Sequence, residues 1–350
     1  MTSTPTRPRT NSLDLLAAAG AVVAAVALAR AAARSRRRFD LRGKVALVTG
    51  GSRGLGLVLA RELVREGARV AICARDEAEL ERARAQLERS GAGVLLAVPC
   101  DVTARDQVET MLTRVRDRLG PVDVLINNAG TIQVGPMEEM TPEDYDQTLR
   151  VHFWGPLFTT LGVLREMRRR RAGRIVNIAS VGGKISIPHL LPYSASKFAL
   201  VGFSEGLRGA LAGDGIYVTT VCPGLMRTGS PRNAWFKGQH REEFAWFSIG
   251  DALPVVSMAA TRAARRILDA CRNGDAELVM PLSTAMAVKL NALFPGVGAD
   301  VVSLAERLLP GPGGIGPAMR RGAESESRWS PSVLTRLGDD AAARNNELVG

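Results

Sequence analysis

Tyr193 and Lys197 stand four residues apart in Tyr193-Ser194-Ala195-Ser196-Lys197, so on a helix they share one face. A free phenol titrates near pH 10 and is protonated at neutral pH. A nearby ammonium, or the cationic nicotinamide of an oxidised cofactor, favours the phenolate and lowers that pKa. Such a pair can give a proton to a carbonyl oxygen, or take one from an alcohol. Ser180 ends an apolar run upstream, where its hydroxyl can hold a substrate oxygen as negative charge develops on it.

A second set of residues suits a phosphate-bearing ligand. Thr49-Gly50-Gly51-Ser52-Arg53-Gly54-Leu55-Gly56 follows a short apolar run and opens a helical pattern. Glycines there let the chain turn tightly, admit a pyrophosphate to the backbone, and begin a helix whose N-terminus attracts anions. In strand–loop–helix context the signal is strong. An acidic residue ending the second strand would hold the ribose 2′-hydroxyl of NAD, whereas an arginine accommodates the 2′-phosphate of NADP. Here that strand ends Ile72-Cys73-Ala74-Arg75, and Arg53 adds a second cation. Both predict NADP(H) in preference to NAD(H).

The elements that position these residues alternate along the chain. KVALVTG, RVAIC, VLLAVPC, VDVLINNAG, RIVNIAS, IYVTTVCPG and ELVMP read as strands. Between them run helical patterns at 55–67, 76–91, 104–120, 143–171, 193–212 and 257–273. Such alternation predicts right-handed βαβ units and an α/β, doubly wound, Rossmann-like, seven-stranded parallel sheet. Wholly apolar strands fit burial on both faces.

With the TGxxxGxG spacing, Asn127-Asn128-Ala129-Gly130, Ser180, the Tyr193/Lys197 pair and Pro223-Gly224 in this order, the chain resembles the short-chain dehydrogenase/reductase family. The likeness covers roughly residues 41–281. It implies that Gly50, Ser52, Arg53, Gly54, Leu55, Gly56 and Arg75 hold the cofactor, with Asp101 and Val102 at its adenine. It further implies that Asn128, Ala129, Gly130, Pro223 and Gly224 lie along the cofactor, and that Lys197 holds the nicotinamide ribose. Asn127 and Asn128 would position the loop, Asn128 in a structural rather than a chemical role. Many members carry an Asn where this chain has His152; an imidazole can also bond water and relay a proton. His152 is expected either to relay protons or to be structural.

The segment after Gly224 covers the substrate in this family. Here it holds Trp235, Phe236, Phe244, Trp246 and Phe247, which predicts a hydrophobic, lipid-, steroid- or isoprenoid-like substrate. The same aromatics could instead meet a membrane, or pack on helices at 283–309. His189 reads as a solvent-facing loop residue.

The chain has 350 residues and a net charge of +11. Nine basic residues against two acidic ones fall within 1–44, beside the apolar run Leu15–Ala29. That placement points to a membrane surface, or a single span through residues 13–38, rather than to nucleic acid. Arg168–Arg171 is a solvated helix end. A catalytic domain retained on the cytoplasmic side follows from the basic run after the apolar segment. Four dispersed cysteines without clustered histidines predict reduced thiols and no metal. The expected organisation is a disordered tail plus anchor over 1–40, a catalytic domain over 41–281, apolar helices over 282–310 and a mostly disordered tail over 311–350. The resemblance implies a homodimer or homotetramer. The reading is an NADP-dependent carbonyl/alcohol oxidoreductase; the alternative is a dinucleotide-binding scaffold or sensor impaired in catalysis.

Overall fold

The computed structural model describes residues 12–91, 93–254 and 257–348. Its centre is a seven-stranded sheet: β1 (Val45–Thr49), β2 (Arg69–Ala74), β3 (Leu95–Pro99), β4 (Val124–Asn127), β5 (Gly173–Ile178), β6 (Ile216–Pro223) and β7 (Glu277–Met280). The order across the sheet is β7-β6-β5-β4-β1-β2-β3, with every pair parallel. The seven parallel strands match the doubly wound architecture expected from the alternating pattern.

Side-chain alternation divides the core in two. Ala46 and Val48 point to one face, with Leu57 and Leu63 of α2 (Gly54–Arg65), Leu80 and Leu87 of α3 (Glu77–Arg89) and Ile267 of α9 (Ala260–Asn273). Val45 and Leu47 point to the other, with Met111 and Val115 of α4 (Arg105–Leu119) and Val163 and Met167 of α6 (Gly155–Arg170). All four cysteines are free and buried. Val48 pairs with Ile72 on one side and Ile126 on the other, so the strand order reverses at β1. In sheets of this kind the ligand crevice opens beyond the carboxyl ends of the strands at that reversal.

The helix expected over 143–171 is interrupted. α5 (Pro142–Leu149) passes through a π-helical turn at Arg150–Trp154 before α6 begins. Gly155-Pro156 follows, and a proline nitrogen cannot donate to the preceding turn. The wide turn sets His152 facing inward, 1% exposed.

Beyond Gly224 a lid forms around α8 (His240–Ala252). Phe236, Phe244 and Phe247 are buried in its own small core with Val134 and Leu190, and Tyr193 packs at its edge. The lid aromatics are therefore its internal packing, and α10 (Leu282–Leu293) and α11 (Pro295–Glu306) carry no buried residue at all. His189, expected to face solvent, is buried: its Nδ1 lies 2.7 Å from Glu243 Oε1, which holds it under the lid. Trp246 Nε1 donates to the same carboxylate at 2.7 Å.

Residues 311–348, expected to be mostly disordered, are ordered. Arg320–Arg321 pairs antiparallel with Trp235–Phe236, and α12 (Arg336–Arg344) buries Ala341 and Ala342. Composition misled here because the segment folds on the lid rather than on a core of its own. The polar residues 1–11 lie outside the described residues. The apolar run is helical as α1 (Ser12–Arg36), and it is tied to the base of the sheet by Arg34, which donates to both oxygens of Asp275 at 2.9 and 2.8 Å.

Candidate active site

The glycine loop is shaped by close approach. A Cβ on Gly56 would lie 2.0 Å from the Gly50 carbonyl oxygen, and one on Gly50 would lie 2.8 Å from Ala129 Cα. Gly50 and Gly54 also adopt positive φ, +63° and +55°, which favours glycine. Asn128 braces the loop: its Nδ2 donates to the Thr49 and Gly50 carbonyls at 3.0 and 3.1 Å. Thr49 Oγ1 in turn accepts the N–H groups of Asn128 and Ala129. Gly130 stands against the His152 ring, where an added Cβ would meet Nε2 at 3.1 Å. Leu55 and Gly56 are buried in the first turn of α2.

The cations expected near the cofactor separate. Arg75 is exposed at the end of β2. Arg53 is held inward by Glu79, Nη1 to Oε1 at 2.6 Å, and Ser52 Oγ donates to the other oxygen of that carboxylate at 3.0 Å. Asp101 caps the next turn by accepting the Thr103 N–H at 2.9 Å, and Val102 packs against Gly155. Gly224 donates its N–H to the Met280 carbonyl at 2.7 Å, and Pro223 ends β6 at the carboxyl edge of the sheet, which sets Pro223-Gly224 at the mouth of the crevice.

Ser180, Tyr193 and Lys197 converge on that mouth. Pro192 starts α7 (Leu191–Ala210), which carries Tyr193 and Lys197 on one face. Lys197 Nζ donates to the Ile178 carbonyl at 2.9 Å and sits 5.6 Å from the Tyr193 ring centre. Ser180 accepts the Gly182 N–H at 3.0 Å, and a Cβ on Gly182 would meet both the Ser180 hydroxyl, at 3.4 Å, and the Tyr193 ring, at 3.2 Å. Burial pushes the Tyr193 phenol up to about 12, against the lowering effect of the nearby Ser180 hydroxyl. Burial pushes Lys197 down to about 7. The expected lowering of the tyrosine by its lysine is thus outweighed by desolvation in the protein alone, because the lysine itself gives up charge when buried.

His152 is fully engaged. Its Nε2 accepts the Thr131 N–H at 3.1 Å, so the proton resides on Nδ1, which lies 2.7 Å from Ser196 Oγ. That hydroxyl passes on to the Tyr193 carbonyl at 2.7 Å. Burial, then the Lys197 charge, holds the imidazole well below its ordinary pKa. Both ring nitrogens are committed to protein groups. We expect His152→Asn to leave the shape of the rate–pH profile unchanged over roughly pH 5.5 to 7.5, the range in which a free imidazole titrates. Each hydrogen bond lost should lower stability by about 1 kcal/mol. A profile displaced along the pH axis would restore the relay reading.

Sequence reasoning missed Glu79, Ser196 and Thr131, and it missed residues 345–347. Asn345 presents its carbonyl to the Gly54 N–H at 2.9 Å, and Glu347 Oε2 lies 3.5 Å from Arg53 Nε. The alternation of helix and strand marks the crevice but says nothing of short polar contacts between distant segments.

The donor set suits a dinucleotide. Backbone space that only glycine leaves, an N–H group opening α2 and the Arg53 guanidinium together match the phosphates of a dinucleotide. Comparison with known proteins agrees. The sequence profile of the family described as short chain dehydrogenase matches residues 44–237. A Streptomyces coelicolor protein assigned as a ketoacyl reductase is 43% identical over 187 residues, covering 53% of this chain and 71% of its own. The 3-dehydrosphinganine reductase of Danio rerio is 37% identical over 194 residues, covering 54% of this chain and 58% of its own. Among solved structures, an actinorhodin polyketide ketoreductase with NADPH superposes with a TM-score of 0.62 at 34% identity, covering 68% of this chain and 95% of that one. A crevice at the sheet's reversal point, a glycine cradle and a converging serine, tyrosine and lysine thus place the chain in the short-chain dehydrogenase/reductase family, as an NAD(P)-dependent oxidoreductase.

Proposed function

We propose that the protein is an NADPH-dependent reductase of a ketone carried on a long apolar chain. The observation that carries this reading is the meeting of Ser180, Tyr193 and Lys197 at the crevice mouth beside an uncovered apolar hairpin. NADPH, when bound, supplies the hydride. The chain's own residues do the rest. The Tyr193 phenol, held near 12, stays protonated at neutral pH and gives its proton to the substrate oxygen. The Ser180 hydroxyl orients that oxygen and steadies the charge that develops on it. Lys197, near 7, exchanges protons at working pH and can return one toward Tyr193. The ketoacyl and 3-dehydrosphinganine names of the relatives support an acyl-chain ketone.

Membrane association belongs to the same reading. α10 and α11 bend by 120° into a hairpin that packs Thr284 of α10 on Gly224, with Leu293, Phe294, Val297 and Val301 each more than half exposed. Among the described residues no single helix is long and apolar enough to cross a membrane. We propose that the hairpin, with the basic end of α1, rests on the bilayer surface on its cytoplasmic side, where an apolar substrate partitions.

The test is a fluorescence titration of the full chain with NADPH and NADH. We expect NADPH to bind at least tenfold tighter, about 1.4 kcal/mol, and to reduce long-chain β-keto substrates in preference to short ones. Tighter binding of NADH would mean that Arg53 and Arg75 meet no phosphate.

A further inference from the structure

Residues 320–348 run from the lid back to the glycine loop. Arg320 and Arg321 extend the short sheet at Trp235–Phe236. α12 then lies against the lid so closely that a Cβ on Gly229 would come within 2.3 Å of Ala342 Cα. The chain next places three polar residues on the crevice. Asn345 takes the Gly54 N–H through its carbonyl at 2.9 Å, and its Nδ2 donates to the Thr228 carbonyl at 3.1 Å. Asn346 Nδ2 donates to the Ser52 carbonyl at 2.8 Å and the Glu79 carbonyl at 3.1 Å. Glu347, 3% exposed, accepts from Asn233 Nδ2 at 2.7 Å and faces Arg53. One of its oxygens lies 2.5 Å from where a Cβ on Gly54 would stand.

The groups engaged here are the ones a cofactor phosphate requires. The N–H opening a helix and a guanidinium beside it favour an anion, and a buried carboxylate with a backbone carbonyl supplies the same chemistry as phosphate oxygens. The docking is also imperfect. Under α12 the Ser248 hydroxyl and Asp251 Oδ2 are buried without a hydrogen-bond partner among the described residues, which costs free energy that undocking would recover.

Resting on the NADP(H) reading above, we propose that residues 336–348 form a displaceable strap that holds the phosphate end of the cofactor site, so that strap and cofactor exclude one another. Cofactor affinity is then reduced by the fraction of molecules whose strap is docked. By reciprocity the cofactor loosens the strap by the same factor.

The groups facing Glu347 are Arg53 at the head of α2, Glu79 on α3, and Asp251 of α8 and Asn233 in the lid. Burial raises Glu347 from its ordinary value to about 7. Docking is thus fully favoured below about 4.5, weakens as pH rises toward 7, and levels off above it.

Two variants test the strap in the full chain. Ala342→Arg places a charge against Gly229, and Glu347→Lys sets like charges at Arg53. Each should tighten NADPH binding tenfold or more, measured by fluorescence. In the unaltered protein, NADPH should speed hydrogen exchange in residues 341–348 while slowing it in residues 53–57. Unchanged affinity in both variants overturns the strap. So does protection of residues 341–348 by NADPH, since a strap closing over the cofactor would behave that way. Failure of the unaltered protein and of both variants to bind NADPH overturns the cofactor reading and the strap together.

Discussion

Tyr193→Phe is expected to lower kcat a hundred- to ten-thousand-fold, the usual worth of a positioned general acid. The substitution removes one oxygen and leaves the ring in place, edge-on to His152 with centroids 5.4 Å apart. Only the polar contact of the phenol with Ser180 is lost, and the lid core of Phe236, Phe244 and Phe247 is untouched. NADPH affinity and melting temperature should therefore hold while turnover collapses. Steady-state reduction of a long-chain ketone, beside a cofactor titration of the same variant, separates the two. Retention of most of the activity would remove Tyr193 from the proton's path, whereas absence of turnover in the unaltered protein would leave the scaffold reading in its place.

Gly56→Ala is expected to damage cofactor binding more than any other single methyl group added to the loop. Its Cβ would lie 2.0 Å from the Gly50 oxygen, 2.5 Å from Asn128 Nδ2 and 2.8 Å from the Gly50 carbonyl carbon. Backbone has to move to admit it, and the moving backbone is the cradle itself. We expect NADPH affinity to fall at least a hundredfold, about 2.7 kcal/mol, with a melting temperature several degrees lower. Gly202→Ala is the matched control: it lies inside α7 with nothing near its added methyl. That change should stabilise the protein by roughly 0.5–1 kcal/mol, because an alanine loses less chain entropy than a glycine in a helix. Equal effects at the two sites would mean that the loop tolerates the methyl and that its tightness carries no function.

Much of this was legible beforehand, because it rests on local rules. Apolar runs such as VALVT and RVAICA announce strands buried on both faces, and each was found within a residue or two of its expected place. Gly50, Gly54 and Gly56 declared a backbone demand that no larger residue meets, and the four-residue spacing of Tyr193 and Lys197 declared a shared helix face. What escaped was whatever depends on contact between distant parts. Asn346 reaches Ser52 across 294 residues, and Asn233 reaches Glu347 across 114. Neither leaves a periodicity to read. His189 failed for the same reason: its burial depends on Glu243, 54 residues later. The tyrosine's pKa ran opposite to expectation because spacing reports a neighbour, whereas desolvation depends on the whole surrounding shell.

The order of strands in the sheet also has a consequence in time. β1 lies beside β4 in the finished sheet, yet three helices and two further strands separate them along the chain. Until β4 arrives, one edge of the VALVT strand has no partner, and parallel pairing over such a separation is slow. An unpaired apolar edge is a template for wrong association. The charged residues at its start, Arg42 and Lys44 with Arg69 on the neighbouring strand, stand where charges discourage that association. Because the glycine cradle is completed only when Asn128 comes down on Thr49 and Gly50, the nucleotide site is among the late products of folding, and a nascent chain acquires its binding loop only after its sheet has closed on β4.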